Sequence, residues 1–150
     1  MKFTPNKINT FILMKLPSAY FCGVRAYYID QHQCMVKVKH KWFNQNPFQS
    51  MYFAVQAMAA ELSTGALVMN AIAESNEKVS MLVLNSKSNF SKKATGVISF
   101  VCEQGEEITE AIRKTVDSKQ AQTIWVKSVG KNADGDVVST MEFEWTLKAK

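Results

Sequence analysis

The chain has 150 residues, of which 47% are hydrophobic and 21% charged, with a formal net charge of +5. These proportions exclude a disordered chain and predict one globular domain over residues 1–150, large enough to bury a core. The positive balance suits an anionic ligand such as a nucleotide phosphate, and equally an uncommitted surface.

In chain order, Thr4-Pro5 is a helix start, a side-chain cap followed by proline at the first helical position. Ile8, Phe11, Ile12 and Leu16 recur at helical spacing until Pro17 stops the run. Tyr20–Ile29 reads as a strand and Asp30–Gln33 as a turn. Cys34–Trp42 is a second strand of period two, with Val36, Val38 and His40 on one face and Lys37, Lys39 and Lys41 on the other. Asn46-Pro47 predicts a helix entry with Gln49 as the capping-box partner, Ser50 being an equal alternative start. From Pro47 to Ser75 such a helix is roughly 40 Å long. Beyond it, Val79–Leu84 and Thr95–Cys102 read as strands around a polar segment, 85–93. Gly105–Asp117 is either a helix, with Glu106 and Glu107 early and Arg113 and Lys114 late, or a loop with one helical turn. Thr123–Val129 and Val137–Leu147 complete six strands, turning around Asp134-Gly135.

Between Lys41 and Glu74 the central helix holds one ionisable carboxylate or amine, Glu61. Its neighbours at helical spacing are Ala54, Ala57, Met58, Thr64, Gly65 and Val68, none of them a cation. Ala57, Glu61 and Gly65, four apart, form a groove of small residues, and a mid-helix glycine costs about 1 kcal/mol against alanine. A carboxylate there is paired from elsewhere, turned to a wet edge, or a desolvated base or nucleophile poised near neutrality. Gln49, Ser50, Gln56, Ser63, Thr64 and Asn70 interrupt any membrane-length apolar run, so no membrane insertion is expected. The Phe11–Met14 run is too short for a signal segment. Cys22, Cys34 and Cys102 form no CxxC pair, which predicts reduced thiols and a cytoplasmic setting. His32 and His40 lack metal-ligand spacing, so no metal is expected. The Lys37, Lys39, Lys41, Trp42, Phe43 stretch matches no nucleic-acid module, and no nucleic-acid partner is expected.

The element order predicts an α+β fold, an antiparallel six-stranded sheet wrapped around the long central helix. One helix does not cover such a sheet, which predicts association of two subunits. This topology resembles the hotdog fold, and NPFQSMYFAVQAMAAEL (46–62) resembles the signature of the PaaI-like hotdog thioesterases, in a branch whose biochemical function is mostly unassigned. In that signature an Asn or Gln before Pro-Phe leads to a His-Gly-Gly helix start and then to an acid. Aligned without a gap, Asn46 takes the amide position, Tyr52 the His position, Phe53 the oxyanion-hole Gly position and Glu61 the catalytic carboxylate. NFSKKATGVISF (89–100) is similar to the family's strand-turn-strand. The resemblance implies hydrolysis of an acyl thioester, an acyl-CoA, at the interface of a homodimer, with a tetramer of two such dimers left open, and with no cofactor. It implies Lys92 and Lys93 as contacts for the nucleotide phosphates and the groove at Ala57 and Gly65 as the acyl-binding surface. The alternative is a non-catalytic hotdog module that binds acyl chains or acyl-CoA.

Overall fold

The computed structural model describes residues 2–150. Thr4 caps helix α1 (Pro5–Lys15) by accepting from the Lys7 amide, and Ile8 and Ile12 are buried on its inner side. Pro17 ends α1 and at once opens a short helix, α2 (Pro17–Phe21), since a residue without an N–H loses nothing at the first helical position. The strand expected over Tyr20–Ile29 is therefore shorter: β1 is Arg25–Ile29. Tyr20 instead ends in the helix, with the Arg25 guanidinium 3.4 Å from its ring centroid and donating to its carbonyl at 2.7 Å. Strand β2 (Cys34–Lys39) is shorter than expected at its far end, where a tight turn over Trp42–Asn44 takes over.

The central helix, α3 (Phe53–Ser75), starts at neither Asn46-Pro47 nor Ser50. Asn46 uses its side chain to close a loop instead, its Oδ1 accepting from the Phe48 amide (2.9 Å) and the Ser50 amide (3.3 Å). That is the local turn chemistry in which asparagine competes with helix formation. Gln49 within the loop sits at φ +60°, in the left-handed region. The helix is thus 23 residues, about 34 Å, rather than 40.

The remaining elements are β3 (Val79–Phe90), β4 (Val97–Cys102), α4 (Gly105–Ser118), β5 (Gln122–Lys131) and β6 (Val137–Ala149). The region left open between helix and loop is the full helix α4, with Arg113 bridging Glu110 and Asp117 along it. The expected end of β3 at Leu84 is corrected. After a bulge between Val83 and Asn85 the polar run stays in register with β6, Asn85 donating to Glu144 at 2.9 Å and Lys87 lying opposite Glu142. Cross-strand pairing on the outer face carries a segment whose composition reads as loop.

All strand pairs are antiparallel, in the order β1-β2-β4-β5-β6-β3. The six-stranded sheet wraps α3 as expected. Inward residues of alternating parity, Val36 and Val38, Ile98 and Phe100, Met141 and Trp145, form one core with the helix. Ser63 on α3 donates a 2.7 Å hydrogen bond to Ser128 on β5, satisfying two buried hydroxyls at once. Gly130 is required where it stands: a Cβ there would lie 2.5 Å from Cε1 of the buried Phe100 ring. Gly130→Ala is expected to lower stability by about 1–3 kcal/mol, measured as a reduced midpoint of urea denaturation with the slope unchanged.

Candidate functional site

Two cavities hold the residues that the sequence singles out. The larger, about 590 Å³, lies at the N-terminus of α3 between the loop 46–51 and the end of β3. Its geometry is set by backbone ties. The Tyr52 amide donates to the Asn44 carbonyl (2.9 Å) and the Met51 amide to the Ala94 carbonyl (2.8 Å), fixing where the helix begins. Tyr52 at the cap position supplies no side-chain acceptor, so the first-turn amides have no side-chain partner. The Phe53 ring packs edge-on against Tyr52 and Phe90, at centroid distances of 5.1 and 6.1 Å, which holds it at the mouth. The Asn46 Nδ2 donates to Ser50 Oγ at 3.0 Å and more weakly to the Met51 carbonyl at 3.5 Å.

Lys92 and Lys93 also line this cavity. Lys92 is committed to a 2.6 Å ion pair with Asp136, which raises its own pKa and lowers that of the aspartate. Lys93 reaches the Phe48 carbonyl at 3.4 Å and has no carboxylate partner among the described residues. Of the two, Lys93 is the cation available to a ligand.

The second cavity, about 230 Å³, surrounds Glu61. Phe11, Lys15 and Leu16 close it from the α1 side, Met81 from β3 and Trp145 from β6, and Gly65 forms its floor on α3. The Glu61 carboxyl makes no ion pair and no side-chain hydrogen bond among the described residues, and Lys15 stays beyond ion-pair distance. Burial alone pushes its pKa up, by disfavouring the ionised form. Gly65 makes this possible: a Cβ on it would stand 3.2 Å from Cζ2 of Trp145 and 3.3 Å from Oε1 of Glu61.

Asn46, Tyr52, Phe53, Lys92 and Lys93 therefore share one cavity, while Glu61 and Gly65 share another. Ala57, half-buried on α3, lines neither. Phe53 and Glu61 stand eight residues apart on one helix, about 12 Å along its axis.

Two residues escaped the sequence reading. Gln56, 4% exposed, lines the helix-mouth cavity with its Nε2 donating to the Met51 carbonyl and its Oε1 unpartnered. Its signal was a long amide on a helix otherwise apolar at that depth. Trp145 gave no signal beyond strand alternation, because its partners are some eighty positions away.

Other candidates stay outside these cavities. Cys34 and Cys102 face each other across β2 and β4, and burial pushes their thiols up to about 12 and about 11, far from a reactive thiolate. No group of three or more metal-ligating side chains occurs among the described residues. Lys37 rests on the Tyr27 ring, 3.7 Å from its centroid. No helix among the described residues is long and apolar enough to cross a membrane.

A family model described as a domain of unknown function, DUF4442, matches residues 7–147. No curated protein matches the sequence. Among solved structures, a protein of unknown function and probable thioesterase from Pseudomonas aeruginosa is 18% identical with a TM-score of 0.87, covering 100% of this chain and 99% of its own. A protein of unknown function from Chlorobaculum tepidum is 16% identical at a TM-score of 0.83, covering 98% of both chains. A thioesterase from Haemophilus influenzae is 9% identical at 0.74, covering 99% of this chain and 93% of its own. At such identities the likeness is one of fold, and the fold is the hotdog.

The raised pKa of Glu61 has a sign in stability. The folded state holds the proton more tightly than the unfolded chain, so stability falls as pH rises from the ordinary glutamate value through the raised one. Glu61→Gln is expected to stabilise the fold at neutral pH, with the gain vanishing toward pH 4, as read from urea midpoints across that range.

Proposed function

The chain belongs to the DUF4442 family, and from that premise we propose that it hydrolyses an acyl thioester, an acyl-CoA, at a site completed by two copies of the chain. The observation that carries this reading is Glu61, a carboxyl held in a mostly apolar cavity with no cation at ion-pair distance among the described residues, its proton affinity raised by burial in the direction a general base needs.

In this reading the thioester carbonyl enters the cavity at the start of α3. The Phe53 amide and the helix dipole meet the oxygen where negative charge develops. Asn46 exchanges its weak 3.5 Å contact with Met51 for the carbonyl or the attacking water. Lys93 meets phosphate as a point charge, and Lys92 joins it only by giving up Asp136. Glu61 of the partner subunit takes a proton from water as the oxygen bonds to the carbonyl carbon. The C–S bond then breaks and the proton passes to the departing sulfur, leaving a carboxylic acid and a thiol. Tyr52 borders the mouth as a neutral hydrogen-bond donor, and the acyl chain lies along α3 past Ala57 to Gly65.

A second subunit is favoured by two features. Glu61 and the helix mouth of one chain open on different cavities. Strand β3 is an edge with no partner beyond β6, and it exposes Leu82 and Leu84 at 68% and 56%. The binding-only reading draws on one observation, the Phe53 ring standing at the mouth where the resembling family has glycine.

Glu61→Gln is expected to lower kcat on a responsive acyl-CoA by about 10²–10⁴-fold with KM little changed; a wild-type rate that this substitution leaves untouched removes the proposal. In light scattering, Leu82→Lys is expected to convert a dimer of about twice the chain mass to monomer and to abolish the activity with it.

A further inference from the structure

Trp145 is buried at 4% exposure, and its indole N–H donates to Thr64 Oγ1 at 3.1 Å. The same hydroxyl donates its own proton to the Glu61 carbonyl at 2.9 Å, so the threonine is satisfied as acceptor and as donor. The chain of contacts thus runs from the inner face of β6 to the very turn of α3 that carries Glu61. Beyond the hydrogen bond, the far edge of the indole, Cζ2 and Cη2, and the carboxyl oxygen Oε1 flank one gap above Gly65, each 3.2–3.3 Å from where a Cβ would be. The aromatic edge and the carboxylate share the space that the missing side chain leaves.

We propose that Trp145 is a positioning residue for Glu61: pinned by Thr64, its indole sets the place of the carboxyl above Gly65 and shuts water out from that side. The inference rests on the reading of Glu61 as the base, and adds what holds it. An indole free to swing would admit water to the carboxyl, and the desolvation that raises its proton affinity would fall. Of the other groups around the carboxyl, α1 presents Lys15 as a cation beyond ion-pair distance, β3 presents Met81 and α3 presents Met69, neither of which titrates.

The test follows the Glu61 carboxyl directly, by carbon-13 NMR titration of the labelled full chain, with Glu61→Gln identifying the signal. In the wild type the midpoint is expected above that of an ordinary glutamate. Thr64→Val, which removes the hydroxyl at nearly constant shape, is expected to raise the acid dissociation constant about tenfold, and Thr64→Ser to return it to the wild-type value. Trp145→Phe, which lacks both the N–H and the edge over Gly65, is expected to follow Thr64→Val. If those two variants fail to fold, Gly65→Ala keeps the helix and sets a methyl group 3.2–3.3 Å from both the indole edge and Oε1, which pushes the carboxyl out of its place toward water, and the same direction of change is expected. A Glu61 midpoint unmoved in every folded variant, or ordinary in the wild type, overturns the proposal. The shifts appearing in a chain that hydrolyses no acyl-CoA would sustain the positioning role and retire the thioesterase reading alone.

Discussion

The structure depends on one constraint: α3 is apolar on almost every side, and it is dried by the sheet curled around it together with α4. Thirteen of its residues are buried, from Val55 to Ala71, and they include Ser63, Thr64 and Asn70. Each of these three has a hydrogen bond ready: Ser63 to Ser128, Thr64 with Trp145, and Asn70 accepting from the Phe3 amide. Buried polar groups without partners are too costly to keep, so these bonds also fix how the helix is rotated within its sheath. Glu61 and the Oε1 of Gln56 are the exceptions on this helix, and the rotation set by the others is what carries Glu61 into its cavity.

Much of this architecture follows from the pattern of residues alone. The number of strands and their places between the helices follow from alternation, as in Met141, Phe143, Trp145 and Leu147. What failed was local, and each failure has a physical cause. Asn46-Pro47 has the same side chains whether it caps a helix or closes a turn, and only the tie between Tyr52 and Asn44 decides between them. Tyr20 and Phe21 favour strands by propensity, but Pro17 nucleates a helix just ahead of them. Residues 85–90 look like loop until the long partner strand β6 is known.

At the candidate site the division is similar. That Glu61 lacks a cation on its own helix could be counted from spacing, and the structure brings none to ion-pair distance among the described residues, Lys15 included. That Lys92 is spoken for by Asp136, or that Gly65 faces an indole, could not, because both partners arrive from the last hairpin, one on its turn and one on its second strand. Part of the wall around a central residue here comes from the far end of the chain.

The loop at the mouth of α3 has a consequence of its own. Gln49 holds a left-handed backbone without being glycine, at a cost of about 1–3 kcal/mol, and Asn46 Oδ1 keeps it there by accepting from the amides on either side, those of Phe48 and Ser50. A rim set in this way has its shape before any guest arrives. The disorder it gives up is surrendered while the chain folds, so a molecule docking there meets a finished edge and sacrifices less entropy on arrival.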